Sequence, residues 1–108
     1  MAKKIKVVVV PVGKDAYVAD IDNTLETMQE LVQGYIEVVR FTSAGEIFDG
    51  TKIVCNDEGF CRNMKANKLG IRGPFFIISD RVEGDGKMVG LDEVHAKVLV
   101  GLLNSNGG

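Results

Sequence analysis

A chain of 108 residues that is 45% hydrophobic and 26% charged, with 13 Gly and 2 Pro, has room for one domain and too much apolar material for disorder. Its net charge of −2 excludes general electrostatic attraction to nucleic acid and is too small for a mimic of it. The longest apolar run, residues 7–12, falls far short of the ~20 residues a membrane helix requires, so no membrane partner is expected.

Residues 5–12 form a continuous β-branched run, the pattern of a strand buried on both faces, with Pro11 near its end. Lys3, Lys4 and Lys6 ahead of the apolar run at 7–12 look like the start of a signal peptide. The run is too short for one, however, and no small-residue cleavage site follows. Gly13-Lys14-Asp15 is a turn, and residues 17–21 make a second strand, the hairpin partner of the first. A helix begins after Asp22 or Asn23, and the spacing of Asn23 from Glu26 is that of a capping box. Leu25, Met28, Leu31 and Val32 form its buried stripe, and Gly34 supplies a left-handed stop.

Residues 35–41 return to strand character, with Glu37 among apolar neighbours. A strand over 52–55 follows the turn at Ser43-Ala44-Gly45, and Asn56-Asp57-Glu58-Gly59 turns the chain again. Residues 63–69 suit one or two helical turns, 74–78 a buried strand, and Glu83-Gly84-Asp85-Gly86 a polar turn. The last helix is expected over 91–103, with Leu91, Val94, Val98, Leu99 and Leu102 inward and Asp92 and Glu93 at its positive end. Residues 1–103 then make a single domain and 104–108 a flexible tail. The order β-β-α-β-β-short α-β-α predicts an α+β fold: a mostly antiparallel or mixed sheet with two helices packed on it, covered on one side.

Few motifs carry chemistry. Gly13-Lys14 lacks the upstream glycine and the following hydroxyl of a phosphate loop, and Gly84-Asp85-Gly86 lacks the alternating acids of a calcium loop. Cys55 and Cys61 are too few for a disulfide framework, so reduced thiols and a cytoplasmic setting are expected. They also lack two further ligands for zinc, since His95 lies far along the chain. A core thiol at Cys55, a semi-buried one at Cys61 and a half-buried, hydrogen-bonded His95 are the simpler expectations. No catalytic residue, metal or cofactor is assigned, and a small enzyme working through Cys61 or Glu58 ranks last.

Charge is spread unevenly. Lys52, Arg62, Lys65, Lys68 and Arg72 stand against only Asp57 and Glu58. The candidate ligand-binding residues are Asn56, Glu58, Arg62, Asn63, Lys65, Asn67, Lys68 and Arg72. The cations suit phosphate, while the amides and carboxylate suit ribose or base edges. The bland alternative is a polar loop that simply faces water; otherwise the expected partner is a small anionic ligand of the nucleotide class. It would be held in a homo-oligomer, because one small domain has little interior to enclose it. The alternative is a partner protein, docked on the strand edge at 35–41 or on the last helix.

Several blocks occur in a recognisable order: Val10-Pro11-Val12-Gly13-Lys14, Ile21-Asp22, Gly34-Tyr35-Ile36-Glu37-Val38, Val54-Cys55-Asn56-Asp57-Glu58-Gly59, Asn67-Lys68-Leu69 and Gly73-Pro74-Phe75-Phe76-Ile77. Together they resemble the domain-of-unknown-function family numbered 3846, over about residues 5–102. The chain departs from the family where members often show Leu-Pro before the later Asn, carrying Met64-Lys65-Ala66 ahead of Asn67. The resemblance implies origin in a bacteriophage or mobile element, hence a bacterial host cytoplasm, and it implies no mechanism. In that setting the expected function is a non-catalytic accessory protein that sequesters a nucleotide-type host signal, including one used in antiviral defence. The alternative is an inhibitor or modulator of a host enzyme.

Overall fold

The computed structural model describes residues 4–40, 50–58, 73–81 and 88–105. In chain order they form β1 (Lys4–Val10), β2 (Tyr17–Asp22), α1 (Leu25–Val32), β3 (Ile36–Arg40), β4 (Thr51–Asn56), β5 (Phe75–Ser79) and α2 (Glu93–Ser105). The strands build one five-stranded sheet in the order β2-β1-β5-β4-β3, with every neighbouring pair antiparallel. The expected α+β class holds. The helical turns expected at 63–69, the turns at 43–45 and 83–86, and Phe41 lie outside the described residues.

Both faces of the sheet are covered, which corrects the one-sided expectation. Val8, Val10, Ile53, Cys55, Phe75 and Ile77 pack with Leu91, Ala96, Leu99 and Leu103 on the α2 side. Their alternates Val7, Val9, Val54, Phe76 and Ile78 pack with Met28 and Val32 on the α1 side. Period-two alternation therefore sends adjacent Phe75 and Phe76 into different cores. Covering on two faces is also why β4 and β5 are buried at every position.

The helices differ from the expected ones in detail. Asn23 does not cap α1. The cap is Thr24, whose hydroxyl accepts from the Thr27 N–H (3.2 Å), while Asn23 donates its amide to the Met88 carbonyl (2.9 Å). The left-handed stop falls on Gln33 (φ 64°) rather than Gly34, and Gly34 N–H closes the turn on the Gln29 carbonyl. Leu25 is exposed, because α1 reaches β3, β4 and β5 through Met28, Leu31 and Val32.

On α2 the buried stripe is Ala96, Leu99 and Leu103, leaving Val94 (73% exposed) and Val98 facing out. Apolar residues occur on most sides of this helix, so periodicity could not fix its rotation. Asp92 caps the helix start, and the pairing of Asn104 with Ala16 ties its far end to the rest of the fold. Asp92 accepts the His95 N–H at 2.8 Å, and the Asn104 side chain both accepts from Ala16 N–H and donates to its carbonyl (2.9 and 3.0 Å). Asn104 and Ser105 consequently belong to the helix rather than to a tail.

Candidate functional site

Asn56, the last residue of β4, stands on the α1 side of the sheet and is 6% exposed. Its Nδ2 donates to the carbonyls of Val32 (2.9 Å) and Gln33 (3.1 Å), which α1's end leaves without helical partners. Its Oδ1 accepts the Glu58 N–H at 2.7 Å. Asp57 N–H donates to the Tyr35 carbonyl at 3.0 Å. One buried amide thus joins helix end, strand end and turn. The chain leaving β4 starts from a fixed root and returns at Phe75, which is fully buried on the adjacent strand.

Beside this root, Cys55 Sγ lies 3.6 Å from the Glu37 carbonyl, to which the thiol donates. Burial, then the charges of Glu37 and Asp57, push the thiol above its ordinary 9.0. The thiolate is the nucleophile, so this environment quiets Cys55. Iodoacetamide at pH 8 should alkylate native Cys55 at least about tenfold more slowly than the urea-unfolded chain, by peptide mass mapping; equal rates would contradict the burial. Because the folded-state value is the raised one, stability from Cys55 is complete below about pH 9 and falls as the pH climbs through the folded-state value.

Of the eight candidate ligand residues, the structure places Asn56 and Glu58 and joins them by the one hydrogen bond above. Arg62, Asn63, Lys65, Asn67, Lys68 and Arg72 lie outside the described residues. Asp57 and Glu58 are exposed at the root, while the Asn56 amide is turned inward.

At the opposite end of the sheet a cleft of about 190 Å³ is lined by Gly50, Ser79, Asp80, Arg81, Asp92 and His95 among others. Ser79 Oγ accepts from the Arg81 backbone N–H (3.1 Å) and Nε (3.4 Å), and Asp80 N–H donates to the Gly50 carbonyl (2.8 Å). Sequence inspection missed this cleft because its walls come from three separate elements. Only the Asp92–His95 cap spacing hinted at one of them. Two carboxylates beside one guanidinium and one imidazole give it no single-sign field. Among the described residues no three His, Cys, Asp or Glu side chains are placed to hold a metal ion. None of the described helices is long and apolar enough to cross a membrane.

The model of the family described as "Domain of unknown function (DUF3846)" matches residues 5–102, nearly the whole chain. The chain belongs to that family. No curated protein and no solved structure matches it. The family match spans the root at Asn56, both cores and the segment carrying the four cations Arg62, Lys65, Lys68 and Arg72.

Proposed function

We propose that this DUF3846 chain is a non-catalytic binding module for a small anionic ligand of the nucleotide class. The observation that carries this is the mounting of the cationic segment. Arg62, Lys65, Lys68 and Arg72 lie in a connection whose two ends, at Asn56 and Phe75, are buried on paired strands. Functional side chains carried by a connection on a rigid scaffold is the usual design of a binding site. In this reading the four cations take the phosphates, while Asn63, Asn67 and Glu58 meet ribose or base edges. Asn56 acts as a positioning residue that holds the root. The setting is the cytoplasm of a bacterial host, with the chain encoded by a phage or mobile element and sequestering a host signal.

Calorimetry with a cyclic dinucleotide, 3′,5′-cyclic AMP and inorganic phosphate tests this. Binding should appear with a nucleotide and weaken at least about 100-fold when Arg62, Lys65, Lys68 and Arg72 are all changed to Gln, since each charge-assisted bond contributes roughly 1.5–3 kcal/mol. Absence of heat with every probe, together with no nucleotide released on denaturing the purified protein, would overturn it.

A further inference from the structure

β3 is an edge strand, and its outer side is unpaired among the described residues. The two sheet edges are treated differently. On β2, Asp22 and Asp20 stand opposite Lys4 and Lys6 and pair with them at 3.0 and 3.2 Å, so that edge carries charge. On β3, Val38 and Val39 are 43% and 39% exposed, and the strand contains no proline, lysine or bulge. Its charges, Glu37 and Arg40, flank the centre, and Val38-Val39 between them carries none of the devices that keep an open edge from pairing.

The hydrogen-bond phase of β3 is fixed by one contact. Asp57 N–H donates to the Tyr35 carbonyl, so Tyr35 and Asp57 form a hydrogen-bonded pair, and such pairs alternate along an antiparallel ladder. Glu37 and Val39 therefore turn their backbone groups toward β4. Ile36, Val38 and Arg40 turn theirs outward. These three are spaced symmetrically about Val38.

We propose that β3 pairs with β3 of a second copy, antiparallel and centred on Val38, to give a closed dimer with one continuous sheet. In this register Val38 faces Val38 of the copy and Ile36 faces Arg40, so every outward backbone group of the strand finds a partner. A shift by two residues would leave some of them unpaired. Charge agrees with the same arrangement. Glu37, Asp57 and Glu58 lie at the Ile36 end of the strand, while Arg40 is its last residue at the far end; Lys52, opposite Arg40 on β4, is buried and takes no part. Like charges facing each other across a ladder are unfavourable. Antiparallel pairing about a twofold axis brings the basic end of each copy to the acidic end of the other. Because β2 is blunted, the association stops at two. The dimer is independent of the ligand reading and can stand or fall without it.

Sedimentation of the full chain should show a dimer at about 100 μM that dissociates on dilution, as expected for a contact at the small end of interface sizes. Val38→Pro removes an N–H that points outward and leaves the β3–β4 ladder intact, so the variant should stay folded by circular dichroism. It should dimerise at least about thirtyfold more weakly. Val38→Cys, in a Cys61→Ser background, should cross-link to a covalent dimer under diamide, because the paired Cα atoms sit ~5.5 Å apart, within disulfide reach. A wild-type monomer at 100 μM, an undiminished dimer in the proline variant, or no cross-link in the cysteine variant would each overturn the proposal.

Discussion

Asn56→Asp should be the most damaging near-isosteric change in this chain. It keeps the Oδ1 that accepts from Glu58 N–H but replaces the amide donor by a carboxylate facing the Val32 and Gln33 carbonyls. Those oxygens form the negative end of α1, and the site is 6% exposed, so both dipole and burial oppose the charge. At pH 7 the loss should be about 4 kcal/mol, against about 2 kcal/mol for Asn56→Ala, which removes the bonds without adding a charge. The sign with pH separates the two. The new carboxyl is held in its protonated form by the fold, so its folded value exceeds the unfolded value of about 4. The aspartate variant should thus be closest to wild type below pH 4 and lose stability as pH rises through the folded value, while the alanine variant stays offset by a constant amount. Urea unfolding at several pH values measures this, and a pH-independent Asn56→Asp defect would contradict the clamp.

The second large effect is expected at Gly90. A Cβ built there would lie 2.6 Å from the Lys6 backbone nitrogen and 3.1 Å from its carbonyl oxygen. Neither can move aside, since Lys6 belongs to β1 and its carbonyl accepts the Leu91 N–H at 2.8 Å. Gly90→Ala must push the chain off β1, break that bond and withdraw Leu91 from the core that anchors α2. Overpacking plus the lost hydrogen bond should destabilise by about 3 kcal/mol, read as a lower urea midpoint. A midpoint unchanged within error would show that the close approach is not maintained.

What the sequence disclosed follows the physics of each signal. The runs at Val7-Val8-Val9-Val10 and Phe75-Phe76-Ile77-Ile78 declared strands buried on both faces, and the sheet obeys them. The same runs already argued against a sheet covered on one side, since a one-sided sheet would alternate. The β1–β2 hairpin was legible because the turn at Gly13 is local, and its φ of 75° suits glycine. Strand order was not legible. β1 pairs with β5, far along the chain, and no local pattern encodes such a neighbour.

Rotation of α2 was misjudged because Val94, Val98, Leu99 and Leu102 offered one stripe while Ala96, Leu99 and Leu103 offered another. Asn104 holds the observed face against the sheet, and its partner Ala16 is known only once the chain is folded. Asn56 illustrates the same limit at the candidate site. An amide in a polar turn suggested ligand contact, yet its donors are held by a helix end more than twenty residues earlier in the chain. The role of the cations that follow it was inferred from charge and residue type alone.

The central claim is that the connection after Asn56 receives an anion. Amide chemical shifts of the nitrogen-15-labelled chain, followed during titration with a cyclic dinucleotide, test it residue by residue. Saturable shifts concentrated within residues 56–72, and absent from the cleft at Ser79, Asp92 and His95, are the predicted result. No shift in that segment at millimolar ligand, or shifts centred on the cleft instead, would contradict it.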